Sequence, residues 1–76
     1  MFYITAEDED QIVDSIAYSF VWQTVGVSLY DNGGTMNRLY YNVELEMWYM
    51  FSESSNKGRY LKAHFNRTYE YEDNVR

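Results

Sequence analysis

Residues with catalytic potential are few in this chain. It has no cysteine and a single histidine, His64, which excludes a thiol nucleophile and a Cys-based zinc site. His64 lies between Lys62 and Asn66 in a segment where apolar and polar residues alternate, and this is typical of a solvated residue on a strand. No G-x-S-x-G motif and no phosphate-binding glycine loop is present. The sequence therefore predicts a protein that is not an enzyme and that uses no cofactor.

Closely spaced carboxylates are the other groups that could do chemistry. Four pairs occur, namely Glu7/Glu9, Asp10/Asp14, Glu44/Glu46 and Glu70/Glu72. General acid–base catalysis needs one member of a pair in an apolar pocket with a raised pKa, but these pairs are flanked by polar residues or lie on predicted exposed faces. Asp8, Asp10 and Asp14 resemble part of a calcium loop, yet Ile12 occupies a position where that loop needs an oxygen ligand. We therefore predict no metal site.

The acidic residues are unevenly distributed. The chain has a net charge of −6, and residues 1–37 contain six acids and neither Lys nor Arg. Residues 38–76 contain six acids and six bases, so the whole net charge arises in the first half. Glu7, Asp8, Glu9 and Asp10 are consecutive, and helix capping would use one or two of them. Such a field attracts a basic partner and repels nucleic acids and membranes.

Length and composition indicate one domain, residues 1–76, with a thin core. The N-terminus lacks the basic start and long apolar run of a secretory signal. The longest uncharged stretch, Ser15 to Tyr30, is too polar and too short to cross a membrane. We expect a cytoplasmic protein that does not contact membranes.

Apolar periodicity predicts a strand at Phe2 to Ile4 and then an amphipathic helix over residues 6–19. The helix prediction rests on Ile12, Ile16 and Phe20, which recur at steps of four. Alternation of Val21, Val25, Val27 and Leu29 with other residues predicts a strand, and residues 31–34, Asp-Asn-Gly-Gly, predict a tight hairpin turn.

The second half is harder to assign. Residues 39–51 fit a strand best, with a helix through Leu39, Val43, Met47 and Met50 as the alternative. Residues 59–72 alternate and predict a strand paired back on the previous one. The predicted fold class is α+β: one N-terminal helix packed on a small antiparallel sheet, in the order β-α-β-β-β.

In that fold Tyr40, Trp48 and Tyr60 would lie on a sheet face that no helix covers. Aromatic residues are 20% of the chain, and an uncovered aromatic face indicates a contact surface, which allows a homodimer. Arg38, Lys57, Arg59, Lys62 and Arg67 could line one side of the hairpin, which leaves single-strand nucleic-acid binding as a minor alternative.

In size, acidity and lack of cysteine the chain resembles phage-encoded inhibitors of host nucleases, glycosylases and defence systems. That resemblance implies an inhibitor or DNA mimic on the basic surface of a nucleic-acid-handling protein, without direct binding of nucleic acid. Glu7, Asp8, Glu9, Asp10 and Asp14 would supply the charge, while Tyr40, Trp48 and Tyr60 would supply contact area. The alternative is an adaptor or small regulatory subunit that binds through the aromatic sheet face.

Overall fold

The fold is a five-stranded antiparallel sheet with helices on one face, as shown by a computed structural model that describes residues 2–5, as backbone, and residues 11–73. The strands are β1 (Phe2–Thr5), β2 (Val13–Ser19), β3 (Thr24–Asp31), β4 (Gly34–Tyr40) and β5 (Tyr71–Asp73). They lie side by side in chain order, each antiparallel to the next. The predicted α+β class is confirmed.

The helices lie between β4 and β5. Helix α1 spans Leu45–Glu53, and α2 (Lys57–Tyr60) continues through a π-helical turn (Leu61–Phe65) into α3 (Asn66–Thr68). We call the continuous stretch 57–68 the second helical segment. The predicted order β-α-β-β-β is therefore wrong, because the helices follow the fourth strand.

One sheet face and the two helical regions enclose the core. Its buried apolar side chains come from β2, β3, β4, the β4–α1 connection, α1 and the second helical segment: Val13, Ile16, Tyr18, Val25, Val27, Leu29, Tyr40, Val43, Trp48, Phe51, Leu61 and Phe65. Burial of these side chains is the main stabilising contribution for so short a chain.

The predicted helix over residues 6–19 is wrong where the structure describes it, since Val13–Ser19 is strand β2. A β-bulge between Val13 and Ser15 shifts the pairing with β3, so Val13, Ile16 and Tyr18 all face the core at unequal steps. The bulge interrupts the alternation of buried and exposed side chains along β2. The apolar residues of this segment are therefore spaced as they would be in a helix. Residues 6–10 of that prediction lie outside the described residues.

The strand predicted over residues 39–51 is also wrong beyond Tyr40. Asn42 adopts a left-handed conformation with φ 58°, which ends the extended chain, and α1 begins at Leu45. Trp48 and Phe51 form its buried side, three residues apart. Leu, Glu and Met are strong helix formers, and here that propensity decided between two compatible apolar patterns.

The strand predicted over residues 59–72 survives only at its end, as β5. Leu61, Phe65 and Tyr69 lie four residues apart, a spacing that fits a strand and a helix equally well. The structure buries Leu61 and Phe65 but leaves Ala63 exposed, as a helix requires. The wider π turn between them keeps both large side chains on the core side.

The predictions of the first strand, of the strand around Val25 to Leu29 and of the turn after it are confirmed. β1 contains the predicted first strand, and Val25, Val27 and Leu29 alternate inward along β3. The turn after β3 has positive φ at Asn32 (43°) and Gly33 (85°), the geometry of a two-residue hairpin with the strands' own twist.

Antiparallel pairing gives the sheet two distinct ends. One end carries the end of β1 at Thr5, the start of β2 at Val13 and the β3–β4 turn that begins at Asp31. We call it the acidic end. The other end carries the β2–β3 loop, whose residues 20–22 we call the tip, and Val43, whose N–H donates to the Gln23 carbonyl at 2.7 Å.

Gly58 provides a test of the helix placement. A Cβ added there would lie 2.7–3.1 Å from side-chain atoms of Ile12, which include its branched Cβ. We expect Gly58→Ala to lower the free energy of unfolding by roughly 1–2 kcal/mol, because overpacking outweighs the gain in helix propensity.

The matched control is Gly34→Ala, since the nearest atom to a Cβ at Gly34 is 3.8 Å away. Urea unfolding followed by circular dichroism measures both changes. Equal stability of the two variants would contradict the packing of α2 on Ile12.

Candidate interaction surfaces

The acidic end gathers the carboxylates of the first half that the structure describes. Asp14 lies at the start of β2, and Asp31 lies in the neighbouring β3–β4 turn. Glu7, Asp8, Glu9 and Asp10 lie outside the described residues. The chain enters their segment from Thr5 and returns at Val13, and both residues lie at this end of the sheet.

A phenol group fixes the carboxylate of Asp14. The Tyr30 hydroxyl donates a hydrogen bond of 2.9 Å to Asp14 Oδ1 across β2 and β3, and this bond raises the pKa of Tyr30. Within residues 11–73 the one salt bridge joins Arg38 to Asp73, so Asp14 and Asp31 are paired with no base there. The acidic end thus presents oriented negative charge.

The three aromatic residues predicted as partner contacts do not form an exposed sheet face. Tyr40 and Trp48 are buried, with 0% and 3% of their surface exposed, and Tyr60 is half-buried. Tyr40 faces the helices, and Trp48 and Tyr60 are on the helices, which the sequence prediction had as strands. The expected surface is therefore wrong in position, because these rings form the core.

Tyr40 is instead the centre of a polar network inside the fold. Its hydroxyl donates to Asn66 Oδ1 at 2.6 Å, and Arg38 Nη1 donates to the Tyr40 oxygen at 3.2 Å. Arg38 pairs through two nitrogens with Asp73 and lies over the Tyr71 ring, 4.4 Å from its centroid. The network connects β4, β5 and the second helical segment.

The network predicts a loss of stability at high pH. Burial raises the pKa of Tyr40 above its usual value near 10, although Arg38 acts in the opposite direction. A raised pKa in the folded state means that the stabilisation is complete below pH 10 and is lost as pH rises through the folded-state value. We expect the free energy of unfolding to fall above about pH 10.

Tyr40→Phe tests this assignment. Loss of the hydroxyl removes the hydrogen bonds that Asn66 Oδ1 and Arg38 Nη1 make to it, so we expect a loss of about 1–3 kcal/mol at neutral pH and a weaker alkaline dependence. Tyr49→Phe, at an exposed position of α1, is the control. Urea unfolding from pH 7 to 11 measures both, and an unchanged alkaline profile in Tyr40→Phe would show that Tyr40 is not responsible.

The tip between β2 and β3 exposes three consecutive apolar side chains. Phe20, Val21 and Trp22 are 54%, 84% and 77% exposed. The sequence prediction missed this surface, because Phe20 was placed on a helix and Val21 in a strand. The sequence carried no local signal for this loop, since residues 20–24 contain no turn-forming Gly, Asn or Pro.

Three hydrogen bonds hold the backbone of the tip. The Trp22 N–H donates to Ser19 Oγ at 3.3 Å, and Thr24 Oγ1 donates to the Trp22 carbonyl at 3.0 Å. The next carbonyl, that of Gln23, accepts from Val43. Gln23 has a φ of 49°, a region that L-residues with a side chain seldom adopt.

A groove of about 380 Å³ lies beside the tip on the sheet face opposite the helices. Ser19, Trp22, Thr24, Leu39 and Tyr41 line it, and none of them is charged. Glu72 pairs with the lining residue Leu39 and accepts a hydrogen bond from the lining residue Tyr41. Burial and Glu72 together raise the pKa of Tyr41.

Four basic residues and no acid occur in the second helical segment. Arg59, Lys62 and Arg67 are exposed, whereas Lys57 is buried and donates to the Ser54 carbonyl at 2.6 Å. These four bases were predicted to line one side of a hairpin, but they lie on a helical segment. His64, predicted on a strand, lies exposed in the π turn with its ring centroid 4.7 Å from that of Tyr60.

In residues 11–73, no three His, Asp or Glu side chains are arranged to hold a metal ion. No helix in the described part of the chain is long and apolar enough to cross a membrane. No protein-family model, curated protein or solved structure matches this chain.

Proposed function

We propose that this chain is a small acidic binding protein that occupies a basic surface of a larger protein, and that it acts as an inhibitor or DNA mimic on a nucleic-acid-handling enzyme or defence system. The observation that carries the proposal is the position of the acidic end. Asp14, Asp31 and both strand ends that flank Glu7 to Asp10 lie at one end of the sheet.

The arrangement supports recognition by charge for two reasons. Asp14 is oriented by Tyr30 and not neutralised by a base within the described residues, so its charge remains available to a partner. A cluster of one sign also raises the association rate with an oppositely charged surface and makes binding depend on ionic strength. Carboxylates on a rigid sheet can occupy positions that phosphates take in a basic groove.

A second candidate is favoured by the exposed tip. An adaptor or small regulatory subunit would use Phe20, Val21 and Trp22 as contact residues, since exposed aromatic side chains often dominate the energy of an interface. The acids would then serve solubility. In this second candidate, the aromatic contact surface is the tip and not the residues first predicted, Tyr40, Trp48 and Tyr60.

A pair of charge variants distinguishes the candidates. The first changes Glu7, Asp8, Glu9 and Asp10 to the corresponding amides. The control changes Glu46, Glu53, Glu70 and Glu72, all exposed, to Gln, which alters the net charge by the same amount in the other half of the chain. Each chain is used to capture partners from a lysate of the native host, and the captured protein is purified and titrated by calorimetry.

We expect the first variant to lose affinity by about tenfold or more and to show a flatter salt dependence, while the control retains most of its affinity. If duplex DNA displaces the chain from its partner, the contact surface is a nucleic-acid site. Equal binding by both variants, with loss on Trp22→Ala, would instead establish the adaptor.

A further inference from the structure

The tip is both exposed and held in place, which is an unusual combination for large apolar residues. Val21 and Trp22 are the two most exposed large apolar side chains of the described chain. Bonds from Ser19, Thr24 and Val43 nevertheless fix the backbone on both sides of the indole. A contact residue that is already ordered loses little conformational entropy on binding, so this geometry suits an interface.

The groove next to the tip belongs to the same surface. Trp22 is part of the tip and also one wall of the groove, while Leu39 and Tyr41 form other walls. A projecting apolar group beside an apolar groove is complementary to itself under a two-fold rotation, because each copy then fills the groove of the other. We propose that two copies of this chain form a symmetric dimer in which Val21 and Trp22 of each copy enter the groove of its partner.

The uncharged walls of the groove favour the tip of a second copy as the occupant, because Val21 and Trp22 are the most exposed large apolar side chains of the described chain. No charged residue occurs between Ser15 and Tyr30, and Asp14 and Asp31 lie at the opposite end of the sheet. Glu72, which pairs with Leu39 and accepts a hydrogen bond from Tyr41, lies beside the groove, so two chains of charge −6 repel one another as they meet there.

The available area indicates a weak dimer. The exposed parts of Phe20, Val21 and Trp22 amount to roughly 300–400 Å² per copy. With the groove walls they contact, the interface comes to roughly 1,000 Å², the lower end of specific interfaces. We therefore expect a weak dimer and a chain that is monomeric when dilute.

Sedimentation equilibrium from about 1 µM to 1 mM, at low and at raised sodium chloride, tests the dimer. The mean mass should rise from 9.2 kDa toward twice that value, and the dimer should become more stable as salt screens the repulsion. Binding to a basic partner should instead weaken as salt is added. The dimer proposal can therefore fail while the proposed function stands, and the proposed function can fail while the dimer proposal stands.

Two variants locate the interface. Trp22→Ala and, separately, Leu39→Glu should each raise the dissociation constant by about tenfold or more, with folding checked by circular dichroism. Tyr49→Ala, which removes an exposed aromatic side chain from α1 on the other side of the sheet, should leave it unchanged. A chain that stays monomeric at about 1 mM in raised salt, or variants that dimerise as the wild type does, would overturn the proposal.

Discussion

The contacts of Tyr40 hold strand β4, strand β5 and the second helical segment together. Its ring lies between those of Phe65 and Tyr71, with centroids 5.3 Å from each, and its hydroxyl bonds Asn66. Strand β5 pairs with β4 through three residues only, so its attachment depends on Tyr40 and on the neighbouring Arg38–Asp73 pair. A buried phenol with satisfied polar contacts thus fixes one helical layer against one sheet.

A second group of contacts closes the other side of the core. Tyr18 donates to the Val43 carbonyl at 2.7 Å, and its ring stacks on Trp48 with centroids 5.3 Å apart. These contacts place the start of α1 beside the β2–β3 loop, and the bond from Val43 to Gln23 then fixes the tip. The core residues thus fix the backbone of the tip, and so they determine where its exposed apolar side chains lie.

The fold also separates two kinds of surface by its strand topology. In an antiparallel sheet whose strands follow chain order, alternate connections emerge at opposite ends. β1 ends and β3 turns into β4 at the acidic end, and the connection after β2, which carries the tip, lies at the other end. The carboxylates Asp14 and Asp31 and the exposed apolar side chains of the tip therefore lie at opposite ends of the sheet.

Individual segments show how much of the fold could be predicted from the sequence. β3 and its turn were predictable because alternation and Asn-Gly act over a few residues. β2 was not, since the bulge at Val13/Ser15 disguises its period, and α1 and the second helical segment were not, since residues spaced by four fit either structure. Of the candidate site, the acidic half of the chain was evident from charge, whereas the tip was concealed by the wrong assignments of Phe20 and Val21.

The sequence by itself determined the charge asymmetry and the β3–β4 hairpin, because these depend on composition and on short-range backbone preferences. Only the tertiary structure decided which aromatic residues are buried and which are exposed. Tyr40 and Trp48 became core while Trp22 became surface, because burial depends on which element lies opposite a residue, and that is set by contacts between residues far apart in the chain.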